Sequence, residues 1–162
     1  MTKFLTILAV LALAGCTGLL GSTKHQPVIT ELKAISQVSV NVSYKADGVY
    51  QVRVDNDQPD KIILEWDSSA YLNTGGETVR LIQMDNAEAF PDDVRMAQTQ
   101  SFIAPGKRFK TFFVGESWMD YARRGVTPRP KTREGKAMLF LAFDIKGKRM
   151  YWKGEIAFVS SG

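Results

Sequence analysis

The sequence has one cysteine and one histidine in 162 residues. A single cysteine excludes an intrachain disulfide, so packing alone must hold the domain together. Zinc sites built from His and Cys lack ligands. A Ser–His–acid triad needs an imidazole fixed by a folded shell, and His25 lies in a stretch of glycine and small polar residues. No glycine-rich loop runs into a helix with a following Lys-Ser or Lys-Thr, and Gly75-Gly76 reads as a hairpin turn, so no nucleotide-phosphate loop is expected. No apolar run approaches the ~20 residues of a membrane-spanning helix. Positive and negative charge nearly balance, with 21 Lys and Arg against 17 Asp and Glu. The net charge of +4 gives a slight bias towards anionic surfaces and does not by itself imply nucleic acid. No catalytic set, cofactor or metal is therefore expected.

What is present starts at the N-terminus. Lys3 precedes an apolar run over residues 4–13, which has the length of a signal-peptide core and is too short to cross a bilayer. Leu13-Ala14-Gly15-Cys16 follows at once. This tetrapeptide resembles the bacterial lipobox, in which a small-residue pair stands directly before the cysteine. The resemblance covers the first 16 residues. It implies removal of residues 1–15, diacylglyceryl transfer to the Cys16 sulfur and often acylation of the new amine. Each buried methylene contributes about 0.8 kcal/mol, so two or three acyl chains anchor where one would not. Thr17 stands where Asp implies inner-membrane retention in enterobacterial lipoproteins, so the resemblance implies a lipid-anchored protein of the outer membrane. Export would also remove access to nucleic acid, and an acylated Cys16 leaves no thiol for catalysis.

Residues 16–27 form the lipidated cysteine and a flexible tether, of which residues 17–27 reach ~35 Å when extended. Residues 28–162 form the folded domain, whose first element starts between Pro27 and Gln37. Val38, Val40, Val42 and Tyr44 alternate with Ser39, Asn41 and Ser43, and Tyr50, Val52 and Val54 alternate with Gln51, Arg53 and Asp55. Asp47-Gly48 between them is a hairpin signal. Further strands are expected over residues 62–66, 78–83, 100–104, 108–114, 136–144 and 149–159. Turns are expected at residues 57–60, 73–76, 105–106 and 145–148. The expectation is an all-β domain, an antiparallel immunoglobulin-like β-sandwich of about eight strands, with a small barrel as the rival. The layout is similar to that of small envelope lipoproteins with such a domain.

Trp66 is expected to plug the core with a partner for its indole N–H, and Ser68 or Ser69 to cap the turn after it. Asp85, Glu88, Asp92 and Asp93 form an acidic stretch without the turn glycine of a calcium loop. Asp55, Asn56, Asp57 and Asp60 read as a plain turn, with a weak cation site as the other reading. The segment 116–134 reads as a long basic connection. Within it Trp118 and Tyr121 stand beside Arg123, Arg124, Arg129 and Lys131. Long connections in compact domains often carry function, and aromatics beside arginines suit an interface or an anionic surface. These six are the candidate partner-binding residues, towards an envelope protein or an anionic envelope component. The expected function is a membrane-anchored, non-enzymatic binding or assembly role. The alternatives are a phage- or plasmid-encoded surface-exclusion lipoprotein and a carboxylate-based cell-wall hydrolase.

Overall fold

The computed structural model describes residues 27–46, 48–84, 98–123 and 135–158. Cys16, His25 and the acidic residues 85, 88, 92 and 93 lie outside the described residues. The domain is all-β and antiparallel. Its elements in chain order are β1 (Val28–Lys33), β2 (Val38–Ala46), β3 (Val49–Asn56), β4 (Ile62–Leu72), β5 (Thr78–Met84), β6 (Ser101–Ile103), β7 (Arg108–Gly115), α1 (Glu116–Arg123), β8 (Gly135–Ile145) and β9 (Lys148–Phe158). The strands follow the order β1-β9-β8-β4-β5-β7-β3-β2, with β6 on the side of β4. The path curls until it is nearly closed as a barrel, and its two ends, β1 and β2, are consecutive in sequence.

Alternation builds the core. Tyr50, Val52 and Val54 of β3, Ile62, Leu64 and Trp66 of β4, and Leu139, Leu141 and Phe143 of β8 point inwards and pack into one cluster with Trp152 and Ile156 of β9. The expected hairpins form where the turn residues demand them. Lys146 and Gly147 both take positive φ (55° and 76°) between β8 and β9, the pair of conformations that a two-residue hairpin turn requires. Asn73 Oδ1 accepts the backbone N–H groups of Gly75 and Glu77 in the β4–β5 turn.

Three expectations need correction. First, β4 does not stop at Trp66. It passes through a bulge between Glu65 and Ala70 and continues to Leu72. Ser69 does not cap a turn: its hydroxyl donates to Glu65 O at 2.7 Å and accepts Ala142 N–H at 3.0 Å, so one side chain replaces the interrupted ladder. Second, residues 116–123 are not irregular. Met119 is fully buried on the outer face of β5 and β7 with Ile82, Met84 and Val114, and that burial supports a helix too short to persist alone. Third, residues 28–33 form a strand, which takes the count to nine. Its outward residues Val28 and Leu32 are apolar and exposed while the inward Glu31 is charged, so it has no amphipathic alternation to read. Trp66 fills the core as expected, with its Nε1–H on Ser101 Oγ at 3.0 Å.

Candidate functional site

The strand registers gather several chain segments at one end of the barrel. Val28 of β1 lies opposite Ala157 of β9, Gly135 opposite Phe158, Leu72 opposite Met138, Leu81 opposite Gly115, and Tyr50 opposite Phe113. The point where the chain enters the domain, the β2–β3 and β4–β5 turns, the start of α1 and the start of β8 therefore share that end. It is closed by aromatic rings. Tyr50 stacks on Phe113 at 5.4 Å, Tyr44 meets Tyr50 edge-on at 5.4 Å, and Tyr71 tilts against Tyr50 at 6.5 Å. Burial first, then the neighbouring phenols of Tyr71 and Tyr44, push the Tyr50 hydroxyl far above the usual tyrosine range. Burial raises Tyr71 as well, against a hydrogen bond with Tyr50 that lowers it.

Helix α1 follows β7 directly, with Glu116 in the first turn, where a carboxylate suits the helix dipole. Half-buried Trp118 packs with Val49 and Phe112 at the edge of the small cluster around Met119. Its indole also lies on Gly48 in the β2–β3 turn, where a Cβ would come within 3.1 Å of Trp118 Cδ1. Gly48 has φ +86°, so both the turn and the indole require glycine there. Of the six candidate partner-binding residues, Trp118 is the one whose side chain is described, and it pins α1 to the hairpin tip. Tyr121 and Arg123 lie on the helix, but their side chains fall outside the described residues, as do Arg124, Arg129 and Lys131 entirely.

The remaining polar side chains serve the architecture. Asp67 stands on the β4 bulge. Burial pushes its carboxyl up, but the Arg80 hydrogen bond, the Gln98 N–H and the Gln98 side chain outweigh this and hold it below the usual carboxylate range. Gln98 also gives its amide to Leu81 O at 2.6 Å and accepts Gln83 N–H at 2.7 Å, in the manner of a neighbouring strand where β4 has bent away from β5. Asn56 is fully buried and binds three backbone groups: it donates to Asp60 O and Ile103 O and accepts from Gln58 N–H. Around that turn Asp55 pairs with Arg53 and Arg108, and Asp60 with Lys146. Glu65 takes a two-pronged bond from Arg149, and Glu155 pairs with Lys136. Among the described residues, no group of three or more His, Cys, Asp or Glu could hold a metal ion, and no helix is long and apolar enough to cross a membrane.

Sequence reasoning missed the polar roles of Ser69, Gln98 and Glu31. Each depends on a bulge or an edge, which leaves no local pattern. No protein-family model matches the chain, and no curated protein sequence matches it. A solved structure, the crystal structure of a protein from Archaeoglobus fulgidus, is similar to it at 10% identity, covering 79% of this chain and 100% of that one with a TM-score of 0.29, a likeness too remote to bear on function.

Proposed function

We propose that the chain is an envelope lipoprotein of the outer membrane, anchored through lipid on Cys16, that acts by binding, as an accessory or assembly subunit rather than as an enzyme. The observation that carries this reading is Leu13-Ala14-Gly15-Cys16 at the end of the short apolar leader. The scaffold is read as an immunoglobulin-like sandwich. Support for that comes from the pairing: β2, β3, β7 and the latter part of β5 make one wall, and β1, β9, β8, β4 and β6 the other. Among the described residues, the strand pairing that joins the two walls is Ala70, Tyr71 and Leu72 of β4 opposite Arg80, Val79 and Thr78 of β5. Asp55, Asp60, Glu65, Asp67 and Glu155 are each taken up by an ion pair with a neighbouring side chain, structural work that speaks for binding over carboxylate hydrolysis.

The binding surface in this reading is the α1 end, through Trp118, Tyr121, Arg123, Arg124, Arg129 and Lys131. Arginine forks of this kind take phosphate or carboxylate groups. The test is labelling of expressing bacteria with radioactive palmitate. The wild-type chain is expected to take up label and to fractionate with membranes, and Cys16→Ala to do neither. An unlabelled wild-type chain refutes the anchor. In the same cells, replacing Arg123, Arg124 and Arg129 together with Ala is expected to reduce crosslinked envelope partners at low salt while leaving palmitate uptake intact. An unchanged crosslinking pattern refutes the binding surface alone.

A further inference from the structure

Four large apolar side chains are exposed among the described residues, and three of them stand on the adjacent strands β1 and β9: Val28 (57% exposed) and Leu32 (54%) on β1, and Tyr151 (37%) on β9, with Phe102 apart from them on β6. The register turns them the same way. Along β9, Trp152, Gly154 and Ile156 point inwards, so Tyr151, Lys153, Glu155 and Ala157 point outwards. Val28 lies opposite Ala157, and the bulge in β1 sets Leu32 and Lys33 against Lys153. The neighbouring strand adds Phe140, over whose ring the Lys153 ammonium lies at 5.3 Å. Of the outward carboxylates on this wall, Glu155 is occupied by Lys136 at 3.0 Å, Glu65 by Arg149, and Asp144 accepts the Gly147 N–H in the β8–β9 turn. Among the described residues, Lys33 and Lys153 have no carboxylate partner. The β1–β9 face is thus an apolar strip beside two lysines that no carboxylate among the described residues neutralises.

We infer that this wall rests on the surface of an anionic lipid bilayer, with Val28, Leu32 and Tyr151 at the interface and Lys33 and Lys153 on lipid phosphates. The inference depends on the lipid anchor at Cys16. Along the chain, β1 is the nearest folded element to that cysteine, with residues 17–27 between them. Those residues reach ~35 Å when extended, so the anchor holds the β1 edge within reach of the membrane it enters. Lysines without a carboxylate partner near an anionic surface draw the domain down, and the apolar residues beside them hold it there. A neutral surface would leave the two ammonium groups unmatched, and an acidic protein partner would not account for the strip lying on the strand next to the anchor.

The test uses the full chain, processed in bacterial cells, purified and reconstituted into phosphatidylcholine vesicles with or without phosphatidylglycerol. Acylation blocks Cys16, so a single introduced cysteine can carry an environment-sensitive fluorophore. It is placed by Thr30→Cys on the wall or by Lys110→Cys on the outward face of β7. The expected result is blue-shifted emission, and quenching by a lipid-borne quencher, at position 30 and not at 110, and only with phosphatidylglycerol. Lys33→Gln and Lys153→Gln should each lower the docked-to-free ratio about fivefold, and together about 25-fold. A vesicle-bound chain whose probe at 30 is as exposed to water as the probe at 110 overturns the docking wall and leaves the anchor standing. A chain that labels at Cys16 and does not float with vesicles overturns both.

Discussion

Gly154 is the position where the smallest substitution should do the most harm. Trp152, two residues earlier on β9, is fully buried, and its indole lies flat along the strand over Gly154. A Cβ on residue 154 would stand 2.4 Å from Trp152 Cη2 and 2.8 Å from Cζ3, where carbon atoms in contact keep ~3.5–4.0 Å. The listless end of a flexible side chain could swing aside, but this ring cannot. Leu139 lies opposite Gly154 on β8, Glu31 opposite it on β1, and the Trp152 Nε1–H is bonded to Glu31 Oε2. Forcing a methyl into a packed core costs about 1–3 kcal/mol, and loss of a hydrogen bond to a charged group about 1.5–3 kcal/mol. Alanine's smaller unfolded-state entropy returns about 0.4–1 kcal/mol. Gly154→Ala should therefore destabilise the domain by about 2–4 kcal/mol and lower the urea midpoint, followed by far-ultraviolet circular dichroism, by roughly 1–2 M. The decisive arm is the Trp152→Phe background. Phenylalanine lacks the outer ring that meets the new methyl, so there the same glycine change should cost under about 1 kcal/mol. A penalty of equal size in both backgrounds, or none in the wild type, refutes the assignment of Gly154 as the slot for this indole.

Two further predictions concern buried polar groups. Asn56→Ala removes bonds to Asp60 O, Ile103 O and Gln58 N–H in a fully buried turn, so urea unfolding should show a loss of about 2–4 kcal/mol, and a change below 0.5 kcal/mol would refute its role. Burial and its phenol neighbours raise Tyr50 in the folded state, so its contribution is complete below the unfolded value of about 10 and is lost as pH rises towards the folded one. Stability should fall by about 1.4 kcal/mol per pH unit above ~10 for this group, and Tyr50→Phe should make the alkaline slope shallower, which urea titrations between pH 9 and 11 would detect.

The parts of the fold that were legible in the sequence are those where one residue type meets one demand. Strict alternation in β2 and β3, Asp47-Gly48 and Gly75-Gly76, and the apolar run of β8 each point to the structure observed. What stayed hidden depends on contacts between distant residues. Helix α1 exists because Met119 finds Ile82, Met84 and Val114 on the outer face of a sheet, and residues 116–123 do not reveal that face. The continuation of β4 past Trp66 rests on a hydroxyl at Ser69 meeting Ala142, 73 residues away. The site is less legible still. Trp118, singled out for its arginine neighbours, proves to hold a helix against Gly48, so an aromatic beside cations serves packing here whatever else the segment does. Nothing local marks Val28, Leu32 and Tyr151 as one face, because that face exists only once the register has brought β1 alongside β9.

The two ends of the sheet are built differently, and the difference bears on how the domain meets a surface. β2 runs over nine residues, with no charge or proline from Val38 to Tyr44. β1 has six residues, a bulge near its end and Glu31 on its inward face. An inward carboxylate at an edge resists the approach of another strand, because pairing would take its charge out of water. Here the buried indole of Trp152 satisfies one oxygen of Glu31, so the charge is held at the edge rather than expelled from it. The Ile35–Val38 turn, with Gln37 at φ 58°, carries the chain from β1 to β2 without a ladder between them. The barrel therefore stays open at the seam where its own chain could have closed it. A strand whose edge is guarded in this way can still offer its outward side chains, and on β1 those include Val28, Leu32 and Lys33. Contact through the face of β1, rather than through its edge, is the mode of association that its sequence leaves open.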